Sequence, residues 1–230
     1  MAYLFPIGTI SGASSSGVID GISYSLFEPN NGCISVPNYS NLVHEFENKT
    51  LFTRQKALSY LSILYSYEDI WTKEYNQLRS FVNLVKDSLT SFMAVDWSKG
   101  QDPSAISGAD WSTSNVVSID DTSLYSSITH YKSNNMLIWD GGDAWKLGTV
   151  ISVSANTSVT INVTGNNYGS LSFSTATSLG YVYPVYTCYM TQGALSNFSK
   201  GEYVKQPIGL NEIGGFMYSG TISLRGKYKI

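Results

Sequence analysis

Three consecutive stretches decide the fold: Leu58-Ser-Tyr-Leu-Ser-Ile-Leu-Tyr-Ser-Tyr67, Thr72-Lys-Glu-Tyr-Asn-Gln-Leu-Arg-Ser-Phe-Val-Asn-Leu-Val-Lys-Asp-Ser88 and Ser91-Phe-Met-Ala-Val-Asp-Trp97. In the first, Leu61, Ile63, Tyr65 and Tyr67 recur at a period of two, with Ser62 and Ser66 on the other face. Ser, Tyr and Ile at that period predict a strand; a helix over Arg54 to Tyr65 is the competing reading. In the second, Tyr75, Leu78, Phe81, Val82 and Val85 recur at steps of three and four and form one apolar stripe. Such a stripe packs against a sheet or another helix. Thr72 is placed to cap this helix, and Glu74 suits the positive end of its dipole. Lys73, Asn76, Arg79, Asn83 and Lys86 lie off the stripe. The third stretch alternates and ends in a polar turn, so it reads as a strand. Strand, helix, strand therefore spans roughly 57–97.

Upstream, residues 8–32 are rich in Gly, Ser and Asn. Ser14-Ser15-Ser16-Gly17 and Asn30-Asn31-Gly32 read as turns, and residues 1–20 are expected as an extended arm. Downstream, residues 98–115 are polar and turn-rich. Strand candidates follow at Val116–Ile119, Met136–Trp139, Thr149–Val153, Val159–Val163, Ser170–Ser174 and Tyr181–Tyr189, separated by Gly- or Asn-rich turns. Pro184 predicts that the last of these lies at an edge or carries a bulge. Residues 116–190 thus read as an inserted β-module. Residues 21–115 and 191–230 form the core, with 191–214 loop-rich and Phe216–Ile230 alternating as closing strands. The expected class is mainly β with one amphipathic helix (α+β).

The 230 residues include 35 Ser, 17 Tyr and five Trp but only three Arg, and the net charge is −3. Charged residues make up 13%, against about 25% in typical soluble domains. No basic stripe marks a nucleic-acid binder. No apolar run reaches the roughly 18 residues a membrane-spanning helix needs, even in the uncharged stretch between Lys146 and Lys200. The N-terminus shows neither signal nor transit peptide. Cys33 and Cys188 read as buried, reduced thiols.

Little of the sequence points to catalysis. His44 and His130 are isolated, and no zinc, nucleophile-elbow or phosphate-loop spacing is present. No metal and no cofactor is expected. The most site-like cluster is Asp140-Gly-Gly-Asp143, flanked by Trp139 and Trp145. Its carboxylates suit Ca²⁺ or glycoside hydrolysis, and a tight turn between strands explains the same residues without a ligand. Trp139, Trp145, Asp140 and Asp143 are the residues expected at an interface or a glycan contact, since Trp and Tyr are enriched at interfaces.

The order of elements in 45–97 resembles distal-tail and minor tail proteins of long-tailed bacteriophages. In that family a Phe-Gly-Asp-Gly-Tyr-like turn and a Gln-Arg-like element precede a long strand, an amphipathic helix and a strand ending in an aromatic. Here Glu45-Phe-Glu-Asn-Lys-Thr-Leu-Phe-Thr-Arg54 stands at the turn, without the family's glycines. The strand Leu58–Tyr67, the helix Thr72–Ser88 and the strand ending at Trp97 follow. The resemblance implies a β-sandwich core flanked by one helix. It implies copies packed in a ring beside neighbouring tail proteins, in a virion assembled in the host cytoplasm. It also implies a mechanical, non-enzymatic role at the tail tip or baseplate. A module recognising host-surface glycan is the alternative.

Overall fold

The computed structural model describes residues 2–10, 17–38, 41–45, 51–55, 60–85, 90–107, 114–127, 132–139, 145–163, 167–168, 181–208 and 211–226. In chain order the strands are β1 (Ala2–Leu4), β2 (Gly8–Ile10), β3 (Gly17–Ile19), β4 (Ile22–Tyr24), β5 (Cys33–Asn38), β6 (Asn41–Glu45), β7 (Leu51–Gln55) and β8 (Tyr60–Trp71), and helix α1 (Thr72–Val85) follows. After it come β9 (Phe92–Val95), a short 3-10 turn (Trp97–Lys99), β10 (Ala105–Ser107), β11 (Ser114–Ser118), β12 (Asn135–Trp139), β13 (Trp145–Ser154) and β14 (Ser158–Asn162). The chain continues through β15 (Asn167–Tyr168), β16 (Tyr181–Met190), β17 (Ser199–Ile208) and β18 (Asn211–Gly226). The protein is mainly β with one helix, and its strands form a curled, mixed sheet.

The strand–helix–strand reading matches the structure where it is described. Leu78, Phe81 and Val85 are fully buried and Val82 nearly so. Phe81 meets Phe5 and Phe92 edge-on, at 5.0 and 5.1 Å between ring centroids. Tyr75 lies flat on Tyr218 of β18 at 4.0 Å. Residues 86–88 of the expected helix lie outside the described residues, as does the 170–174 strand. The Thr72 hydroxyl bridges to β18: it donates to the Phe216 carbonyl and accepts from the Phe216 N–H, at 3.0 and 3.1 Å.

Three expectations need correction. The described parts of residues 1–20 do not form an extended arm. β1 pairs antiparallel with β2 and parallel with β9, and Leu4, Phe5 and Ile7 are buried. Apolar side chains scattered among Gly and Ser suffice to anchor the segment, and the composition concealed them. Residues 199–208, expected as loop, form β17, which pairs along β18. Its residues 199–205 are all exposed, so no apolar alternation betrays the strand. Finally, β16 is an interior strand. It pairs with β12 through residues 181–185, with β9 through 185–188 and with β18 through 188–190. Pro184 fits because the ladder is arranged around its missing N–H. Its carbonyl accepts from the Asp96 N–H at 2.9 Å, while the Asp96 carbonyl takes the Lys99 N–H at 3.2 Å.

β16 therefore joins the β10–β14 meander to the strands around α1 in one continuous sheet. One core, around α1, β8, β9 and β18, is rich in rings; another, within the meander, is aliphatic; a third gathers Leu4, Ile7, Ile10 and Leu26 with side chains of β9, β12, β13 and β16. Among the described residues no helix is long and apolar enough to cross a membrane.

Candidate functional site

The third core decides the fate of the tryptophans. Trp145 is fully buried and Trp139 is 7% exposed; they sit directly opposite each other on β13 and β12. Leu4, Ile7, Ile10 and Leu26 from the N-terminal segment belong to the same cluster. Neither indole therefore offers a face to a glycan or a partner. Asp140 and Asp143 lie outside the described residues. Among the described residues, no three His, Cys, Asp or Glu side chains gather to hold a metal. The helix residues named above serve packing, as read from their spacing.

Beside this core, an aromatic residue that does face solvent is Tyr181, 51% exposed at the start of β16. Its ring leans on Tyr183 at 6.2 Å, and Tyr183 in turn meets Trp97 edge-on at 4.8 Å. Burial, reinforced by Glu28, Tyr181 and Asp102, pushes the Tyr183 phenol up to about 12. Gly100 lies against this ring: a Cβ there would stand 2.5 Å from Tyr183 Cε1.

Beside this aromatic group runs a groove of about 450 Å³, lined by residues 98–102, 120, 121 and 124. Its two walls are tied together. The Gln101 side chain donates to the Asp121 carbonyl at 2.9 Å and accepts from the Asp121 N–H at 3.1 Å. The Gln101 backbone exchanges both hydrogen bonds with Val182, at 3.0 and 2.9 Å. The Asp121 carboxylate accepts from Ser123, which holds its pKa below the usual range. Behind the groove, buried Asp96 accepts from the Ser98 hydroxyl at 2.6 Å and the Ser98 N–H at 3.2 Å. The Cys33 thiol points at the same oxygen from 3.9 Å. Burial first, and the Asp96 charge second, push this thiol up to about 12. A thiol so placed stays protonated and is a poor nucleophile.

The groove was not legible in the sequence because its walls are separated by the β10–β11 strand pair and are brought together in part by the Gln101 side chain. The signal available beforehand was the run Lys99-Gly-Gln-Asp102 together with Asp120-Asp121, two polar stretches of the kind that read as loops. Compared with known proteins, the chain matches no family model, and no curated protein is detectably similar to it in sequence.

Proposed function

We propose that the chain is a structural component of the tail of a long-tailed bacteriophage, at or near the tip or baseplate. It works without catalysis, as one copy in a closed ring that joins the tail tube to tip proteins, in a virion assembled in the host cytoplasm. The observation that carries the reading is the β8–α1–β9 unit, with its helix laid across a sheet that ends in free edges. In this reading the fold is a β-sandwich. On this reading the β17–β18–β8–β5 strands would form one layer and β9 with β1–β4 the other.

The free edges support ring contacts. Among the described residues, β17 pairs only with β18, and β5 only with β8. Both carry exposed apolar side chains, Tyr203 and Val204 on one, Ile34 and Val36 on the other. Two different edges of one layer suit heterologous contacts, which close into rings when the rotation allows. A second reading, recognition of host-surface glycan, draws on exposed Tyr181 beside the groove.

Sedimentation velocity across a concentration series tests the first reading. The expected result is a species several times the 25.2 kDa chain mass, lost in Tyr203→Asp. A single 25.2 kDa species at every concentration would overturn it.

A further inference from the structure

We propose that Asn31 and Gly32 form a self-modifying site: the Gly32 nitrogen closes on the Asn31 side chain, and the product unpins the start of β5 and exposes the Cys33 thiol. The inference is independent of the tail reading. Asn31-Gly32 is the single Asn-Gly pair in the sequence. Asparagine is thermolabile. It reacts fastest before glycine, whose missing side chain leaves the backbone nitrogen open to attack.

The two neighbouring asparagines are held differently. Asn30 is locked: its amide donates to the Glu68 carbonyl, and its side-chain oxygen accepts from the Glu68 N–H at 2.9 Å. The Asn31 side chain is exposed and has no hydrogen-bond partner among the described residues. Gly32 is exposed too, at φ +95°, and beyond its chain neighbours no atom lies within 4 Å of where a Cβ would stand. Its N–H donates to the Pro29 carbonyl at 3.4 Å, long for a hydrogen bond, so little is lost when it is given up.

The reaction is a hydrolysis, and nothing is oxidised or reduced. The Gly32 nitrogen attacks Asn31 Cγ, and the side-chain nitrogen leaves as ammonia, carrying the Gly32 proton. Water then opens the cyclic imide. Opening at Cγ leaves aspartate. Opening at the Asn31 carbonyl carbon leaves isoaspartate, in which the main chain runs through Cβ and Cγ.

Ser66 of β8 clamps this pair. Its carbonyl accepts from the Asn31 N–H at 3.1 Å, and its N–H donates to the Gly32 carbonyl at 2.9 Å. Neither the Asn31 nitrogen nor the Gly32 oxygen belongs to the imide ring, so the clamp survives ring closure. Isoaspartate puts one extra chain atom between the two clamped groups, and the two bonds no longer fit together. Cys33 is the next residue and the first of β5, with its thiol 3.9 Å from an Asp96 oxygen. Losing the clamp frees this end of the strand.

Ageing the full chain in mildly alkaline buffer tests the proposal, with peptide mapping and iodoacetamide labelling of Cys33 on each sample. Asn31 is expected to convert at least ten-fold faster than Asn30, with isoaspartate the major product. Cys33 labelling should rise in step with the isoaspartate fraction. Asn31→Gln aged alike should keep Cys33 unlabelled. So should fresh Asn31→Asp, which carries the new charge on a backbone of unchanged length. Asn31 surviving as long as Asn30, or isoaspartate accumulating while Cys33 stays unlabelled, would each overturn the proposal. Labelling that rises equally in aged Asn31→Gln would overturn it as well, because the thiol would then be exposed without the modification.

Discussion

The two sides of β16 are stabilised by different kinds of core. On the helix side, rings from distant parts of the chain interlock: Phe5 stacks near Tyr65 and meets Phe81 and Phe92. On the meander side the centre is aliphatic, with Val117, Ile138, Val159 and Ile161 from strands that pair mostly with near neighbours in sequence. Neighbour pairing closes small loops and loses little entropy. The helix-side core instead needs residues 4–7 to meet Phe81 and Phe92, and its order depends on contacts of long sequence separation. The meander is held mostly by short-range pairing, whereas the helix side depends on contacts of long sequence separation.

Paired core truncations should have the largest effect on this contrast. Phe81→Ala should cost about 3–5 kcal/mol and Ile161→Ala about 2–5 kcal/mol, measured by urea unfolding. Because β16 belongs to both sides, each variant should shift one common transition. Two separate transitions would break the picture of a sheet joined through β16.

The next effect belongs to Gln77, a buried polar residue on the packed face of α1. Its amide donates to the Pro6 carbonyl at 3.1 Å and the Ser25 carbonyl at 3.0 Å. Gln77→Leu leaves both acceptors without this donor and should cost about 1–3 kcal/mol. Hydrogen exchange should rise in residues 2–10 before it rises in the meander. Equal acceleration in both regions would show that the N-terminal segment is not a separately closing element.

These residues also show what could be read beforehand. The α1 stripe and the 116–119, 136–139 and 159–163 strands were legible, because one buried face imposes a period on the sequence. Gln77 was not, since a polar residue at a helical position reads as surface. The N-terminal strands were hidden by Gly and Ser, although Leu4, Phe5 and Ile7 were visible in the sequence. Trp139 and Trp145 read as contact residues because aromatic content does not say which rings are covered. Here the N-terminal segment covers them.

A smaller effect separates two tyrosines of β8. The Tyr65 hydroxyl donates to the Val95 carbonyl at 2.6 Å, so Tyr65→Phe should cost about 0.5–1.5 kcal/mol. The Tyr67 hydroxyl is buried without a partner, so Tyr67→Phe should be neutral or stabilising. Equal losses in the two variants would contradict the hydrogen-bond assignment.

The smallest effect is on pH dependence. Burial, and then the Asp96 charge, raise the Cys33 thiol from its ordinary 9.0 to about 12 in the folded chain. Below pH 9.0 both states keep the proton, and this thiol adds no slope. Between pH 9.0 and about 12 the unfolded state alone loses it, so stability should fall as pH rises through that window. Cys33→Ser should flatten the slope, and iodoacetamide should leave Cys33 of the folded wild-type chain unmodified at pH 8. Rapid labelling there would contradict its placement against Asp96.

As proposed above, the chain works by assembling. Negative-stain electron microscopy of the concentrated, purified protein tests this most directly. Closed rings of several copies around a central opening are the expected result. Isolated single-chain particles across the grid, at concentrations where the meander and the helix side are both folded, would contradict it.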